Sequence, residues 1–275
     1  MPDLPLIDTA LIDRLLPLGH AIRAYLRGEV HGIEHIPDGP ALLVGNHNAG
    51  VTFLEPVLLG IAWHECKGGE DGFFYLAHDV LMDLPGVGRL LAKGGAMRAG
   101  YATAEAAFAA GRKVAVWPGG NWEAFRPWRE RHRVDFGGHT GFVRLALRAR
   151  VPIVPVLSLG GHEAYFVLAR GARIARWTGI KRRFRSESFP LFLALPWGIG
   201  LGPLPHLPLP VKSLVEVGLP ISLAEHPPEA AADESLVRSI AQRVEGALQA
   251  MMDRRVAERR AGREKNEKNG TDRSS

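Results

Sequence analysis

Short, solidly apolar runs recur along the chain, separated by stretches in which apolar residues return every three or four positions. The runs around Glu29 to Ile33, Ala41 to Val44, Phe73 to Ala77, Lys113 to Trp117 and Val151 to Leu157 predict strands, since they are too short for helices; Ala41 to Val44 and Lys113 to Trp117, which break at Gly45 and Pro118, read as buried. Between them, 102–110 reads as a helix closed by Gly111, 140–150 as another, and 86–100 as a helix ending in a Gly-rich turn. Strands alternating with helices predict an α/β fold: a single domain with a largely parallel central sheet flanked by helices. In such sheets, functional residues gather at the carboxyl ends of the strands.

The two ends of the chain read differently. Residues 7–26 carry Leu11, Leu15, Leu18, Ile22 and Leu26 on one stripe, interrupted by Pro17, which predicts an N-terminal amphipathic helix within 1–28. That stripe either covers the core or lies in a membrane interface. Residues 233–260 predict a C-terminal amphipathic helix, with Asp233 as its cap and Leu236, Ile240, Val244 and Leu248 as its stripe. The main domain is expected over 29–257, followed by a charged tail over 258–275 with the composition of disorder.

Two segments resist regular assignment. The uncharged stretch Ser188 to Val211 is long enough for a membrane span, but its six prolines argue against a spanning helix. It reads as irregular apolar structure, packed on the core or resting in a membrane interface. Residues 170–185 carry Arg170, Arg173, Arg176, Lys181, Arg182, Arg183 and Arg185 around Trp177. They form a solvated basic face or a patch for anionic headgroups, where each cation contributes about 1 kcal/mol.

Composition narrows the classes. Hydrophobic content of 46% with 23% charged residues fits a globular protein. A net charge of +5 suits anionic surfaces or phosphorylated substrates but is too weak to indicate nucleic-acid binding. The single cysteine, Cys66, excludes an intrachain disulfide and a Cys-rich zinc site. No metal is implied, because His64, Glu65 and Cys66 are too closely spaced to chelate from one helix. The N-terminus lacks the pattern of a secretory leader, so the expected location is cytoplasmic and peripheral, on the inner face of the membrane.

Candidate chemistry follows successive strands. After Ala41 to Val44, Gly45 leads to Asn46 and His47, and Glu55 with Pro56 opens an apolar helix. Imidazole titrates near neutrality and a carboxylate can orient it, so His47 and Glu55 are a candidate general base and its partner. A structural histidine beside a helix-starting glutamate fits the same spacing. Arg98 follows the Gly94-Gly95 turn. Pro118, Gly119, Gly120 and Glu123 follow the Lys113 to Trp117 run, and Gly160-Gly161-His162-Glu163 follow the last. Each alone is weak; four in this order are specific.

The ordered set Asn46-His47, Arg98, Pro118-Gly119-Gly120 and Val151 to Val156 resembles the glycerophospholipid acyltransferase (His-x4-Asp) superfamily over about residues 20–250. Within it, the chain is similar to the bacterial branch resembling monoacylglycerol and diacylglycerol acyltransferases. The resemblance implies an acyltransferase domain over 29–257 that moves a fatty acyl group to a lipid hydroxyl. His47 would act as base and Glu55 as its orienting acid. Asn46, Arg98, Pro118, Gly119, Gly120 and Glu123 would contact substrate or orient the site, with backbone N–H groups near Gly119 and Gly120 stabilising the oxyanion. The donor would be acyl-CoA or acyl-carrier protein as co-substrate, with no further cofactor. Expected partners are the donor, the lipid acceptor and an anionic membrane surface, with no nucleic acid.

Three departures qualify these expectations. Thr52 stands where the strict motif has Asp, and the nearest acid is Glu55, eight residues after His47. Gly119 stands where the third motif usually has Glu. The Thr-Arg that grips an acceptor phosphate in relatives is absent, which points to a neutral acceptor such as a partial glyceride or lipid alcohol. The Thr52 departure also raises the alternative of a catalytically silent member that binds lipid or membrane. An α/β hydrolase is disfavoured because no G-x-S-x-G elbow occurs.

Overall fold

The structure is a computed structural model that describes residues 4–48, 50, 52, 54–68, 72–171, 174–175, 188–202, 204 and 206–271. Its centre is a seven-stranded sheet in the order β1-β10-β6-β2-β5-β3-β4. These strands are β1 (Glu29–His31), β2 (Leu42–Gly45), β3 (Phe74–Ala77), β4 (Ala96–Arg98), β5 (Val114–Val116), β6 (Ile153–Leu159) and β10 (Leu214–Val217). β2 pairs in parallel with both β5 and β6, and β3 in parallel with β5 and β4; β10 alone runs antiparallel to its neighbour β6.

The solid apolar runs follow from burial on both faces. Leu42 and Val44 of β2, with Ile153 and Leu157 of β6, enter the core under α5 (Tyr101–Ala109), α7 (Gly141–Ala149) and α9 (Glu234–Thr271). Leu43, Val154 and Val156 enter the opposite core, under α2 (Leu54–Lys67), against Leu58, Leu59 and Trp63. Between α2 and α5, β3 leads through the short α3 (Asp79–Asp83) and α4 (Val87–Lys93) to β4. The stretch 86–100 is therefore not one helix: α4 ends at Lys93, and Gly95, with φ of 94°, turns the chain into β4.

At the N-terminus, α1 (Thr9–Tyr25) packs on α2, its Gly19 facing Ile61. Only part of the expected stripe meets the core: Leu26 is buried, while Leu15 and Leu18 are exposed. α9 opens as its cap predicts, with Asp233 Oδ1 accepting from the Ser235 and Leu236 N–H groups. Val237, Ile240, Val244, Leu248 and Met252 bury its stripe. The tail expected from 258 is instead helical to Thr271. Arg, Glu, Lys and Ala favour helix, and Arg254 and Arg255 both pair with Glu258 across one turn.

Residues 188–211 also depart from the irregular reading. They contribute β8 (Leu191–Ala194) and β9 (Gly198–Leu201), which form an antiparallel second sheet with β7 (Phe166–Ala169) in the order β7-β8-β9. Of the basic cluster, Arg170 is described; Arg173, Arg176, Trp177, Lys181, Arg182, Arg183 and Arg185 lie outside the described residues.

Candidate active site

The parallel pairing of β5, β2 and β6 sets the site, because three carboxyl ends emerge side by side. Asn46 is the first residue beyond β2 and is 3% exposed. Its Oδ1 accepts from the Ser158 N–H at 2.7 Å and its Nδ2 donates to the Ser158 carbonyl at 2.9 Å. Asn48 Nδ2 donates to the same carbonyl at 3.0 Å. The two asparagines flanking His47 thus clamp its backbone to β6. Asn46 spends both amide groups on this clamp, so its place is structural, and the substrate contact expected of it is not what the geometry offers.

His47 rises from that clamp. Its Nδ1 lies 3.1 Å from Glu55 Oε1, the same oxygen that accepts the Asn48 N–H. The eight-residue separation closes because Glu55 sits in the first turn of α2, where a carboxylate also suits the helix dipole. The Glu55 side chain is 1% exposed and that of His47 14%, so the pair is largely shielded while the imidazole still reaches the surface. Burial pulls the His47 pKa down, but the charge and hydrogen bond of Glu55, helped by Glu123, hold it above the ordinary 6.5.

Glu123 supports the loop from below. Gly119 and Gly120 follow β5, and Gly119 precedes α6 (Gly120–Ala124). A Cβ at Gly119 would collide with the Glu123 side chain, so glycine is what lets Glu123 fold back under the turn. Glu123 Oε2 accepts the His47 N–H at 3.0 Å; Oε1 accepts the Asp135 N–H at 3.2 Å and lies 3.4 Å from Arg126 Nη2. Both side chains of this ion pair are 1% exposed. Burial pushes the Glu123 carboxyl up to about 7 in spite of these partners. With both oxygens engaged, Glu123 is a positioning residue for His47. The support reaches further: α9 holds the 134–136 segment through Glu245 and Gln249, which accept the Phe136 and Val134 N–H groups.

Other expected residues fall elsewhere. Arg98 ends β4 at the sheet edge, three strand spacings from β2, or about 14 Å. It is half-exposed and paired with Asp83 at 2.5 Å and Asp79 at 3.5 Å. The Gly120 N–H donates to the Trp117 carbonyl at 3.1 Å, so it is not a free oxyanion donor. The Gly119 N–H has no hydrogen-bond partner among the described residues. Pro118 carries the chain between Trp117 and this turn. Trp117 Nε1 is buried and likewise unpartnered among the described residues, with its ring centroid 6.4 Å from that of His47. His162, on the short α8 (Gly161–Ala164), is buried, and burial with the charges of Arg126 and His47 lowers its pKa to about 3. It is neutral at physiological pH. Glu163 turns outward to His132, Arg131 and Arg259. Among the described residues no group of His, Cys, Asp and Glu is arranged to hold a metal.

Sequence reasoning missed Asn48, Ser158 and Arg126 as parts of the site. The one available signal was the Asn-His-Asn triplet, in which two side chains that donate and accept flank the reactive one.

The chain as a whole is similar to known proteins. The "Acyltransferase" family model matches residues 27–158, and the "Diacylglycerol acyltransferase" model matches residues 100–242. An uncharacterized protein of Mycobacterium tuberculosis is 32% identical over 257 residues, covering 93% of this chain and 68% of that protein. A human protein named "DGAT1/2-independent enzyme synthesizing storage lipids" is 28% identical over 230 residues, covering 82% of this chain and 61% of that protein. Among solved structures, the 1-acyl-sn-glycerophosphate (LPA) acyltransferase PlsC from Thermotoga maritima superposes with a TM-score of 0.51 at 16% identity. That match covers 86% of this chain and 78% of the other, and at this identity it speaks to the fold.

Proposed function

Because the chain belongs to the glycerolipid acyltransferase superfamily and is an acyltransferase, we propose that it transfers a fatty acyl group from an acyl thioester to the hydroxyl of a neutral lipid, with His47 as general base. The observation that carries this reading is the His47 Nδ1–Glu55 Oε1 contact at 3.1 Å. It restores, from position 55, the carboxylate missing at Thr52, and it argues against a catalytically silent protein.

The chemistry follows from the tautomer. Glu55 engages Nδ1, so Nε2 takes the proton from the acceptor hydroxyl as its oxygen attacks the thioester carbonyl carbon. The imidazolium is stabilised by buried Glu55. When the intermediate collapses, the C–S bond breaks and the thiolate leaves with the proton held on Nε2. The products are an ester and a free thiol, and no covalent enzyme intermediate is needed. The Gly119 N–H and the Trp117 indole N–H, both without partners among the described residues, serve as the oxyanion donors in this reading. Acyl-CoA or acyl-carrier protein serves as donor. Arg98, at the sheet edge, suits a remote phosphate of the donor better than the reacting end. The reaction sits at the inner face of the membrane, where the acceptor resides.

A phosphate-bearing acceptor is the second reading. Buried Arg126 keeps Nε and Nη1 without hydrogen-bond partners among the described residues, with Arg170 near enough to feel its charge. The neutral reading is preferred because the same guanidinium already neutralises Glu123 and donates to the Asp135 carbonyl at 3.0 Å. An acceptor panel separates the two. Transfer to mono- or diacylglycerol is expected to exceed transfer to lysophosphatidate at least tenfold in kcat/KM, a difference of about 1.4 kcal/mol. The opposite order would transfer the assignment to Arg126 and a phosphate.

A further inference from the structure

The second sheet presents a chemically uniform surface. None of the twelve residues of β7, β8 and β9 carries a charged or hydrogen-bonding side chain. One face turns inward: Val167, Phe192 and Ala194 are buried with Phe125 and Tyr165. The register Phe166↔Leu193 and Leu193↔Ile199 puts Leu193 and Ile199 in one row of the other face. There Leu193, Leu195, Trp197, Ile199 and Leu201 are exposed, Ile199 to 73%. An antiparallel bridge from Leu195 to Leu207 extends the surface, and Leu207 is 61% exposed. Apolar patches of more than a few hundred Å² are unusual on soluble monomers and mark interaction surfaces.

The geometry points to this outer face as the surface that docks on a phospholipid membrane and so delivers the lipid acceptor to the His47 loop. The inference rests on the function proposed above. Three observations favour a lipid surface over a second copy of the chain. By sequence, residues 170–187, which connect β7 to β8, hold seven Lys and Arg against one Glu. An excess of this kind repels a like copy and attracts anionic headgroups. Stable peripheral binding takes apolar insertion together with a second signal of this kind. Trp197 stands at the turn between β8 and β9, and Tyr25 is tied to the neighbouring segment by its hydroxyl bond to the Pro208 carbonyl at 2.9 Å. Trp and Tyr favour the headgroup level of a bilayer.

The inner face leads to the chemistry. Tyr165 stacks on His206 with ring centroids 3.9 Å apart. Both rings close on Gly50, where a Cβ would lie 2.8 Å from Tyr165 and 3.1 Å from His206. Gly50 belongs to the loop between His47 and Glu55. The docking face is therefore one sheet and one ring layer from the catalytic loop. Among the described residues no helix is long and apolar enough to cross a membrane.

The test is co-sedimentation of the full chain with vesicles of phosphatidylcholine and phosphatidylglycerol, for wild type and for the double variant Leu193→Glu, Ile199→Glu. Both positions are exposed, so the variant should keep the wild-type Tm. Vesicle partitioning is expected to fall at least tenfold in the variant, while transfer to a water-soluble short-chain acceptor stays within twofold. Equal partitioning of the two proteins overturns the proposal. So does a wild type that ignores vesicles and forms a dimer that the substitutions split. If vesicles bind as expected but neither protein transfers acyl groups, the docking face stands and the functional reading falls. If transfer occurs without vesicle binding, the reverse holds.

Discussion

Replacing His47 with alanine is expected to lower kcat for acyl transfer by about 10²- to 10⁴-fold, the range in which a positioned general base acts. The loss should fall on kcat rather than KM, because His47 meets the acceptor proton and not the acyl chain. The fold should survive. The backbone at 46–48 is held by Asn46, Asn48 and Glu123, none of which needs the imidazole. Transfer measured beside circular dichroism of the same preparation separates loss of chemistry from loss of structure. A His47→Ala enzyme with wild-type kcat would remove the histidine from the mechanism.

The largest expected effect on stability comes from Glu123→Ala. The substitution strips a buried ion pair of one partner and leaves Arg126 charged at 1% exposure. Breaking such a pair from one side costs about 3–5 kcal/mol. The His47 and Asp135 N–H groups lose their acceptor at the same time, so kcat should fall with stability. Glu123→Gln keeps the volume and one acceptor and should cost less. Its pH dependence follows from linkage. The folded-state pKa of Glu123, about 7, stands above its ordinary 4.5, so the folded protein holds this proton more tightly than the unfolded chain. The stability this proton contributes is present in full below pH 4.5 and is lost as pH rises through 7. Urea unfolding should therefore show the deficit of Glu123→Gln against wild type shrinking between pH 4.5 and 7. A constant deficit would mean that Glu123 stays ionised in the fold.

The sheet was largely legible in the chain because β2, β5 and β6 are buried on both faces and read as unbroken apolar runs. β4 was not, since three residues after a Gly-Gly turn carry no periodicity of their own. The second sheet was hidden for the opposite reason. With an apolar outer face, β8 and β9 lack the polar alternation that marks a half-exposed strand, and the prolines around them argued for irregular chain. The last turns of α9 are polar on all sides and leave no stripe to read, so composition suggested disorder where the chain stays helical. At the site, the identity of His47 and Glu55 was readable, but their contact was not. Eight residues of loop fix no distance until Asn48 and the start of α2 fold it back. Glu123 was visible as an acid near a glycine turn. Its role beneath His47 emerges only from the parallel pairing of β2 and β5.

The most direct measurement of the central claim is the pH dependence of kcat/KM for acyl transfer in wild type and in Glu55→Gln. Neutral His47 is the active base, so the wild-type rate should rise through an ionisation above 6.5, where the buried carboxylate holds the imidazole. Removing that negative charge leaves burial to dominate, so the acid limb should move to lower pH while the plateau rate falls. A limb that stays in place in Glu55→Gln, or a wild-type profile with no ionisation near neutrality, would contradict the assignment of His47 and Glu55 as the base and its partner.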